Sequence, residues 1–169
     1  MTDAASVETA IAAMASAMRE AHAGGPVNVL GIVTRGETLA GRLRKRLADD
    51  GLDVRGGSID VTLYRDDLRE IGPNAIVGET DLPGDIDGVP TWLVDDVIHT
   101  GRSVRAAMQA LVDFGRPAWV KLAVLVDRNG RELPIQPDVV GLSLSPDVGS
   151  RVNVRFTETD GHDGVEVSA

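Results

Sequence analysis

Residues 92–103 read WLVDDVIHTGRS, and within this stretch the pattern of polar and apolar residues changes twice. The run 91–97 is apolar except for two aspartates near its end, which predicts a buried strand. A turn rich in hydroxyl groups follows at 100–103. Residues 103–114 then carry apolar side chains at helical spacing. The stretch therefore predicts a strand, a turn and a helix in direct succession.

The same alternation of apolar strands and amphipathic helices continues on both sides of this stretch. It predicts an α/β fold with a parallel sheet that helices cover on both faces. No internal repeat or linker interrupts the chain, so we expect one domain spanning residues 1–169. The long polar stretch 65–88 predicts a functional or mobile loop. Strands are predicted at 27–33, 58–63, 91–97, 120–126, 139–144, 152–156 and 165–167, and helices at 6–23, after Gly36, and at 103–114.

Composition restricts the class of protein. The chain of 169 residues has no cysteine, which excludes disulfides and thiolate metal sites. No stretch approaches the ~18 apolar residues of a membrane helix, and no signal peptide precedes the first helix, so we expect a cytoplasmic protein without membrane contact. The net charge of −9 disfavours long-range attraction to nucleic acid. The cations at 42 and 44–46 are predicted to form a solvated helix face.

Asp95, Asp96 and the turn at 100–103 are the candidates for chemistry. Ligands of parallel α/β sheets bind beyond the carboxyl ends of the strands, where the two aspartates lie. The turn opens a helix, and helix N-termini with exposed N–H groups bind phosphate. Taken singly, Ser103 could be a plain helix cap, and acidic residues at strand ends are common. Together they suit a sugar phosphate whose hydroxyls, or a hydrated cation, face the carboxylates.

This combination resembles the signature for 5-phosphoribosyl pyrophosphate (PRPP) in the type I phosphoribosyltransferases. Four further blocks are similar to the PyrR family, the pyrimidine operon attenuator proteins with uracil phosphoribosyltransferase activity. The likeness runs from about residue 10 to residue 167, and it implies a mainly parallel five-stranded sheet flanked by helices, with a small hood formed by the C-terminal segment. The blocks are 31–36 (GIVTRG), 60–68 (DVTLYRDDL), 122–128 (LAVLVDR) and 131–135 (RELPI).

The resemblance also implies roles for individual residues toward PRPP. The loop at 34–36 would receive pyrophosphate, often with a non-proline cis peptide in front of Arg35. The turn at 100–103 would hold the 5′-phosphate, and the two aspartates would bind the ribose hydroxyls and waters on Mg²⁺, the expected cofactor. The donor-binding residues implied in this way are Thr34, Arg35, Gly36, Asp95, Asp96, Thr100, Gly101, Arg102 and Ser103.

The implied reaction joins uracil to the ribose of PRPP and yields UMP and pyrophosphate. Arg35, Arg65, Asp95 and Asp96 would be the catalytic residues, with the two arginines stabilising charge on the leaving pyrophosphate. Tyr64 and Arg65 would begin a mobile loop that excludes water. The base would be met by Val126, Asp127 and Arg128.

Two positions depart from the family pattern. His99 stands where the family usually has Tyr, and an imidazole can still stack or form hydrogen bonds. Asn129-Gly130 replaces a Gly-His pair before the block at 131–135. Both departures lie on the side of the site that is expected to receive the base.

The family also binds leader RNA through a basic surface, which makes a UMP-dependent RNA-binding attenuator the alternative function. Here the corresponding first-helix positions are Ala12, Ala13 and Ser16, and the late segment 141–147 has no Lys or Arg. Phosphate binding needs local cations, so the enzyme is favoured over the regulator. Expected partners are uracil, PRPP, UMP, leader mRNA and further copies of the chain in a homo-oligomer. Transfer to another base is a third alternative.

Overall fold

The computed structural model describes residues 2–64 and 80–169. Within those residues, no helix is long and apolar enough to cross a membrane. The elements in chain order are α1 (Ala4–Glu20), β1 (Pro26–Ile32), α2 (Arg35–Asp49), β2 (Asp53–Ile59), a 3-10 turn (Thr62–Tyr64), β3 (Thr91–Ile98), α3 (Arg102–Val112), β4 (Val120–Arg128), β5 (Val139–Leu144), β6 (Arg151–Arg155), α4 (Thr157–Asp160) and β7 (Gly164–Ser168).

The main sheet has five strands in the order β2-β1-β3-β4-β5, and every neighbouring pair is parallel. This confirms the predicted α/β fold with a parallel sheet. All carboxyl ends of these strands lie at one edge, which is where the loops after β1, β3 and β4 meet. The sheet therefore brings together three of the sequence blocks that were predicted to bind one ligand.

Helices cover both faces of the sheet. On one face, apolar side chains of α1 and α2 pack on the strands together with Phe156, which is fully buried. On the other face, Val104 and Leu111 of α3 complete a second core. The antiparallel pair β6 and β7 forms a separate small sheet, and it belongs to the core beside α1 and α2 through Val154 and Val165.

The strand predicted at 58–63 is wrong in its position. The strand β2 runs from Asp53 to Ile59, and residues 62–64 form a 3-10 turn. Asp60 ends the strand, because its carboxylate accepts a hydrogen bond of 2.6 Å from the Thr62 N–H, the local turn that aspartate favours. The first half of β2 was missed since it lacks apolar alternation.

Residues 80–88, the last part of the predicted loop, lie against the sheet. Asp81 and Ser58 form an antiparallel bridge, and Thr80 Oγ1 accepts a hydrogen bond of 3.1 Å from the Asp60 N–H. Ile86 is fully buried in the core beneath α3. This segment is thus anchored at its C-terminal end. The rest of the predicted loop, residues 65–79, lies outside the described residues.

The cations of α2 do not form one solvated face. Lys45 is 77% exposed, as predicted, but the Arg42 side chain is only 18% exposed. Arg42 pairs with Glu158 and Asp163 of the C-terminal segment, and Arg44 pairs with Glu37 of its own helix. The prediction was wrong for Arg42 because its partners lie in the C-terminal segment, which helical spacing does not describe. It was wrong for Arg44 because Glu37, two turns earlier on the same helix, pairs with it.

Both tryptophans of the chain lie at the amino edge of the sheet, opposite the carboxyl ends of the strands. The Trp92 and Trp119 rings meet edge to face, with 5.7 Å between their centroids. The Lys121 ammonium lies 5.0 Å from the centroid of Trp119 and 5.7 Å from that of Trp92. Such cation–π contacts stabilise the pair.

Candidate active site

Asp95 and Asp96 lie together near the carboxyl end of β3. Asp95 is buried, with 7% of its surface exposed, and Asp96 is half-buried. The Asp96 N–H donates a hydrogen bond of 3.0 Å to Oδ1 of Asp95. Two adjacent carboxylates are thus withdrawn from water at the edge where parallel sheets bind ligands.

The electrostatics of this pair favour a ligand that brings positive charge or hydrogen-bond donors. Burial, and then the charge of Asp96, raises the pKa of Asp95 well above its usual range. Burial also raises the pKa of Asp96, and its hydrogen bonds and the Arg35 cation partly offset that rise. Ionising both groups therefore costs free energy, which ribose hydroxyls or a hydrated cation would reduce.

The first turn of α2 packs directly against the carboxylate pair at Gly36. A Cβ atom at this position would lie 2.5 Å from the carbonyl oxygen of Val94 and 3.3 Å from Oδ1 of Asp95. Only glycine permits this approach. The cis peptide bond joins Val33 to Thr34, one residue earlier than the resemblance implied. The close approach at Gly36 places the predicted pyrophosphate loop, residues 34–36, beside the predicted ribose-binding acid Asp95.

The turn between β3 and α3 shares a pocket with Asp95. The pocket is lined by Asp95 and by residues 97–104. Gly101 has a φ of +93°, a conformation that glycine adopts without strain. The Arg102 N–H donates 3.3 Å to Thr100 Oγ1 as the helix begins. Asp95 and the N-terminus of α3 therefore face one space.

The segment after β4 fixes this turn from outside. The N–H groups of Glu132 and Leu133 both donate 3.0 Å to the carbonyl oxygen of Thr100. The Arg102 guanidinium pairs with the Glu132 carboxylate at 2.9 Å. The block 131–135 was predicted only as part of the family pattern. Its contact with the turn at 100–103 joins residues about 30 positions apart, so local sequence pattern did not reveal it.

Arg35 reaches across to the C-terminal segment. Its Nη2 atom donates 3.0 Å to Oδ1 of Asp160, in the α4 turn. Its Nε atom is buried and has no hydrogen-bond partner within the described residues. A buried donor without a partner is unfavourable unless a ligand accepts from it. Sequence reasoning missed Asp160, although the pair Asp160-Gly161 is a recognisable turn signal.

The predicted base-binding residues are held by protein contacts. The Val126 side chain is fully buried in the core. Asp127 pairs with Arg131 at 2.7 Å, and buried Arg128 donates 2.8 Å from Nη1 to the carbonyl oxygen of Ser150. The Arg128 Nε atom has no partner within the described residues. The fourth predicted catalytic residue, Arg65, lies outside those residues.

The two departures from the family pattern touch each other. A Cβ atom at Gly130 would lie 2.6 Å from Nε2 of His99, so the ring lies where a side chain at residue 130 would begin. Burial, and then the Arg128 cation, lowers the pKa of His99, which keeps the imidazole neutral near pH 7. The carbonyl oxygen of His99 also accepts 2.5 Å from Nη1 of Arg131.

Comparison with known proteins agrees with this geometry. The phosphoribosyl transferase domain family matches residues 2–156. The Bifunctional protein PyrR 1 of Lactiplantibacillus plantarum is 50% identical over 141 residues, which are 82% of this chain and 78% of that protein. The chain belongs to the PyrR family. The Akkermansia muciniphila PyrR is 39% identical over 165 residues, 98% of this chain and 93% of its own.

The fold of this PyrR family member is also seen in solved structures. A variant of the hypoxanthine phosphoribosyltransferase from Trypanosoma cruzi superposes with a TM-score of 0.74 at 22% identity, covering 95% of this chain and 88% of its own. The chain therefore has the type I phosphoribosyltransferase fold, as the sequence resemblance implied.

Proposed function

We propose that this protein is the phosphoribosyltransferase that converts uracil and PRPP into UMP and pyrophosphate. The transferase activity follows from the family. The observation that supports the donor is the shared pocket of Asp95 and the turn 97–104, with the Gly36 loop against the same acid. One ribose phosphate can thus reach carboxylates that would bind its hydroxyls and backbone N–H groups that would bind its phosphate.

The chain contributes to the transfer by positioning and by electrostatics. The turn 100–103 holds the 5′-phosphate at the N-terminus of α3, where the helix dipole favours an anion. Asp95 and Asp96 accept hydrogen bonds from the ribose hydroxyls, which fixes C1′ before the uracil N1. Arg35 stabilises the negative charge that develops on pyrophosphate as the bond to C1′ breaks. Arg65 is proposed for the same task from the side of the loop.

Mg²⁺ is the cofactor that suits these donors. It binds proteins through one or two carboxylates and otherwise keeps waters and substrate phosphates, which fits an adjacent pair with raised pKa values. Asp95 and Asp96 would hold it through its waters, and when bound it neutralises charge on the pyrophosphate oxygens. Within residues 2–64 and 80–169 no cluster of three or more His, Asp or Glu could hold a metal alone.

Base specificity is the direct test of this proposal. Turnover of PRPP is measured with uracil, orotate, hypoxanthine and guanine, each with and without Mg²⁺. We expect turnover with uracil and Mg²⁺ and at most slow turnover with the other bases. Preference for a purine would replace uracil in the proposal, and no turnover of PRPP with any base would contradict it.

We propose two further properties from the family and the composition. The chain acts as one domain in the cytoplasm. This reducing environment prevents disulfide formation, which does not affect a protein without cysteine. It assembles with further copies of itself, which sedimentation of the purified protein tests. The C-terminal segment is proposed as the hood, and Val126, Asp127 and Arg128 as the residues beside the base.

The second candidate function is regulation through leader RNA, because relatives of the family carry the name bifunctional. Ala13 and the start of the late segment share one surface, which is lined by Asp3, residues 5–6, 9–10 and 13 of α1, and by Gly141 and Leu142. Among these residues there is an aspartate and no Lys or Arg. Ala12 and Ser16 line a second surface with Arg19 and Arg46, whose charges pair with Asp50 and Glu8. Phosphate contacts dominate affinity for RNA, so these surfaces argue for weak binding.

A titration of the protein against its own operon leader RNA separates the two functions. Binding is measured with and without UMP at two salt concentrations, because phosphate contacts show in the salt dependence. We expect weak binding that UMP does not enhance. Tight binding that increases with UMP would make the regulator the principal function.

A further inference from the structure

We propose that Asp160 is a positioning residue for the transfer reaction: it holds the Arg35 guanidinium toward pyrophosphate and away from Asp96. This inference rests on the proposed function, because it assigns Arg35 to the pyrophosphate side of PRPP. Asp160 belongs to the C-terminal segment, 125 residues from Arg35 in sequence.

Asp160 is itself rigidly held. Its Oδ2 atom accepts 3.0 Å from the Phe156 N–H and 2.8 Å from Oγ1 of Thr159. Its side chain is only 10% exposed. The Phe156 N–H above all, then Thr159 and the two arginines, lower the pKa of Asp160, so the carboxylate stays charged at any working pH. A fixed charge of this kind can orient a flexible arginine.

The other oxygen of Asp160 faces two arginines. Oδ1 accepts 3.0 Å from Nη2 of Arg35 and 3.1 Å from Nη1 of Arg155. An arginine side chain has considerable rotamer entropy, which a ligand contact must otherwise overcome. Because Asp160 takes only one nitrogen of Arg35, the buried Nε remains without a protein partner within the described residues.

Arg35 has a second carboxylate nearby, and this makes its orientation matter. Its charge acts on Asp96 and opposes the raised pKa of that group. If Arg35 turned fully to Asp96, the resulting ion pair would occupy the acid that is proposed to bind the ribose hydroxyls. Asp160 offers a competing partner, to which Arg35 is bonded at 3.0 Å, and so keeps both Arg35 and Asp96 available for PRPP.

The C-terminal segment is attached to α2 at a second point. Arg42 lies two helical turns after Arg35, on the same face. It donates 2.8 Å from Nε to Glu158 and 2.6 Å from Nη1 to Asp163, and its guanidinium lies 5.0 Å above the Phe156 ring. The segment therefore stays on α2 when the contact between Asp160 and Arg35 is removed.

The test uses Asp160→Asn in the full-length protein, with Glu166→Gln as the matched control. Glu166 is the other carboxylate on Arg155, at 3.5 Å. For Asp160→Asn we expect the KM for PRPP to rise about tenfold, with a smaller change in kcat. Interaction free energies between residues in contact correspond to changes of about this size. Glu166→Gln should keep the wild-type KM. Asp160→Glu, which restores the charge, should lie between Asp160→Asn and wild type.

A double-mutant cycle distinguishes positioning from a structural role. In an Arg35→Ala background, Asp160→Asn should raise the KM for PRPP no further, because the group through which it acts is gone. The same cycle with Asp160→Glu serves if the asparagine variant does not fold. Additive losses, equal loss in Glu166→Gln, or a wild-type KM in Asp160→Asn would overturn the inference. If the wild-type protein does not turn over PRPP, the proposed function fails instead.

Discussion

The donor side and the base side of the pocket satisfy their charges in opposite ways. On the donor side, Asp95 and Asp96 lie next to each other with raised pKa values. On the proposed base side, Asp127 pairs with Arg131. The two acids of the donor side thus depend on a ligand for compensating charge, whereas the acid of the proposed base side already has a protein partner. Mutations on the two sides should consequently have effects of different size and kind.

The largest expected effect is that of Asp95→Asn. Loss of one charged group from a preorganised site should lower kcat/KM on the order of 10²-fold. The same change should stabilise the unliganded protein, because asparagine keeps an oxygen for the Asp96 N–H and removes a buried charge. Steady-state kinetics and thermal melts measure both.

The pH dependence of the melts provides the control. Since folding raises the pKa of Asp95, the folded state binds more protons than the unfolded state above about pH 4, and stability falls as pH rises. Asp95→Asn should flatten this fall, gaining about 2–4 °C in Tm for each kcal/mol. A variant that melts below wild type at pH 8 would contradict the interpretation of the donor side.

The next effect is that of Gly36→Ala, which tests the approach of α2 to the acids. The added Cβ meets the backbone of Val94, so the first turn of the helix must move, which costs about 1–3 kcal/mol of stability. The KM for PRPP should rise with it. Gly41→Ala is the matched control, because its Cβ meets only Nη2 of Arg44, at the ordinary contact distance of 3.7 Å, and should stabilise the helix by up to about 1 kcal/mol.

A smaller effect is expected on the base side from Asp127→Asn. The variant breaks the pair with Arg131, whose side chain is 16% exposed against 24% for Asp127. Because the pair is partly buried, we expect it to contribute about 1 kcal/mol, the upper end of the range for surface ion pairs. If this free energy is lost from the binding of uracil, the KM for uracil rises about fivefold. The KM for PRPP should stay at the wild-type value. An equal change in both constants would show that the two sides are not independent.

The smallest effect is expected from Glu132→Gln, and it has the opposite sign. Both partners of this pair are about half exposed, so stability should change by less than about 1 kcal/mol. Removal of this carboxylate charge beside the turn should lower the KM for PRPP by about twofold, since less negative charge then opposes the 5′-phosphate and the contribution of one exposed charge is small. An increase would indicate that the pair orients the turn.

The donor side could be predicted from sequence because its parts are close together along the chain. An apolar strand, two acids and a glycine-containing turn fall within residues 92–103, and local pattern decides each of them. The start of β2 could not be predicted, because Gly56 and Gly57 hide its alternation. The base-binding residues came from family resemblance alone.

The contacts that position the site were beyond local pattern. The hydrogen bond between Arg35 and Asp160, and those from residues 132–133 to Thr100, join segments that only the tertiary fold brings together. Helical spacing made Arg42 solvent-facing for the same reason, since it describes one helix and not what packs on it. The site residues remain a prediction from the resemblance, and the fold supplies the positions of those that the structure describes.

The paired tryptophans make a convenient optical probe. Trp92 is the second residue of β3, and the two acids lie about 10 Å and about 13 Å further along the strand at 3.3 Å per residue. Indole emission should therefore report loss of tertiary structure while remaining insensitive to nucleotide binding. Fluorescence melts can accordingly be recorded with saturating ligand, without correction for quenching at the pocket.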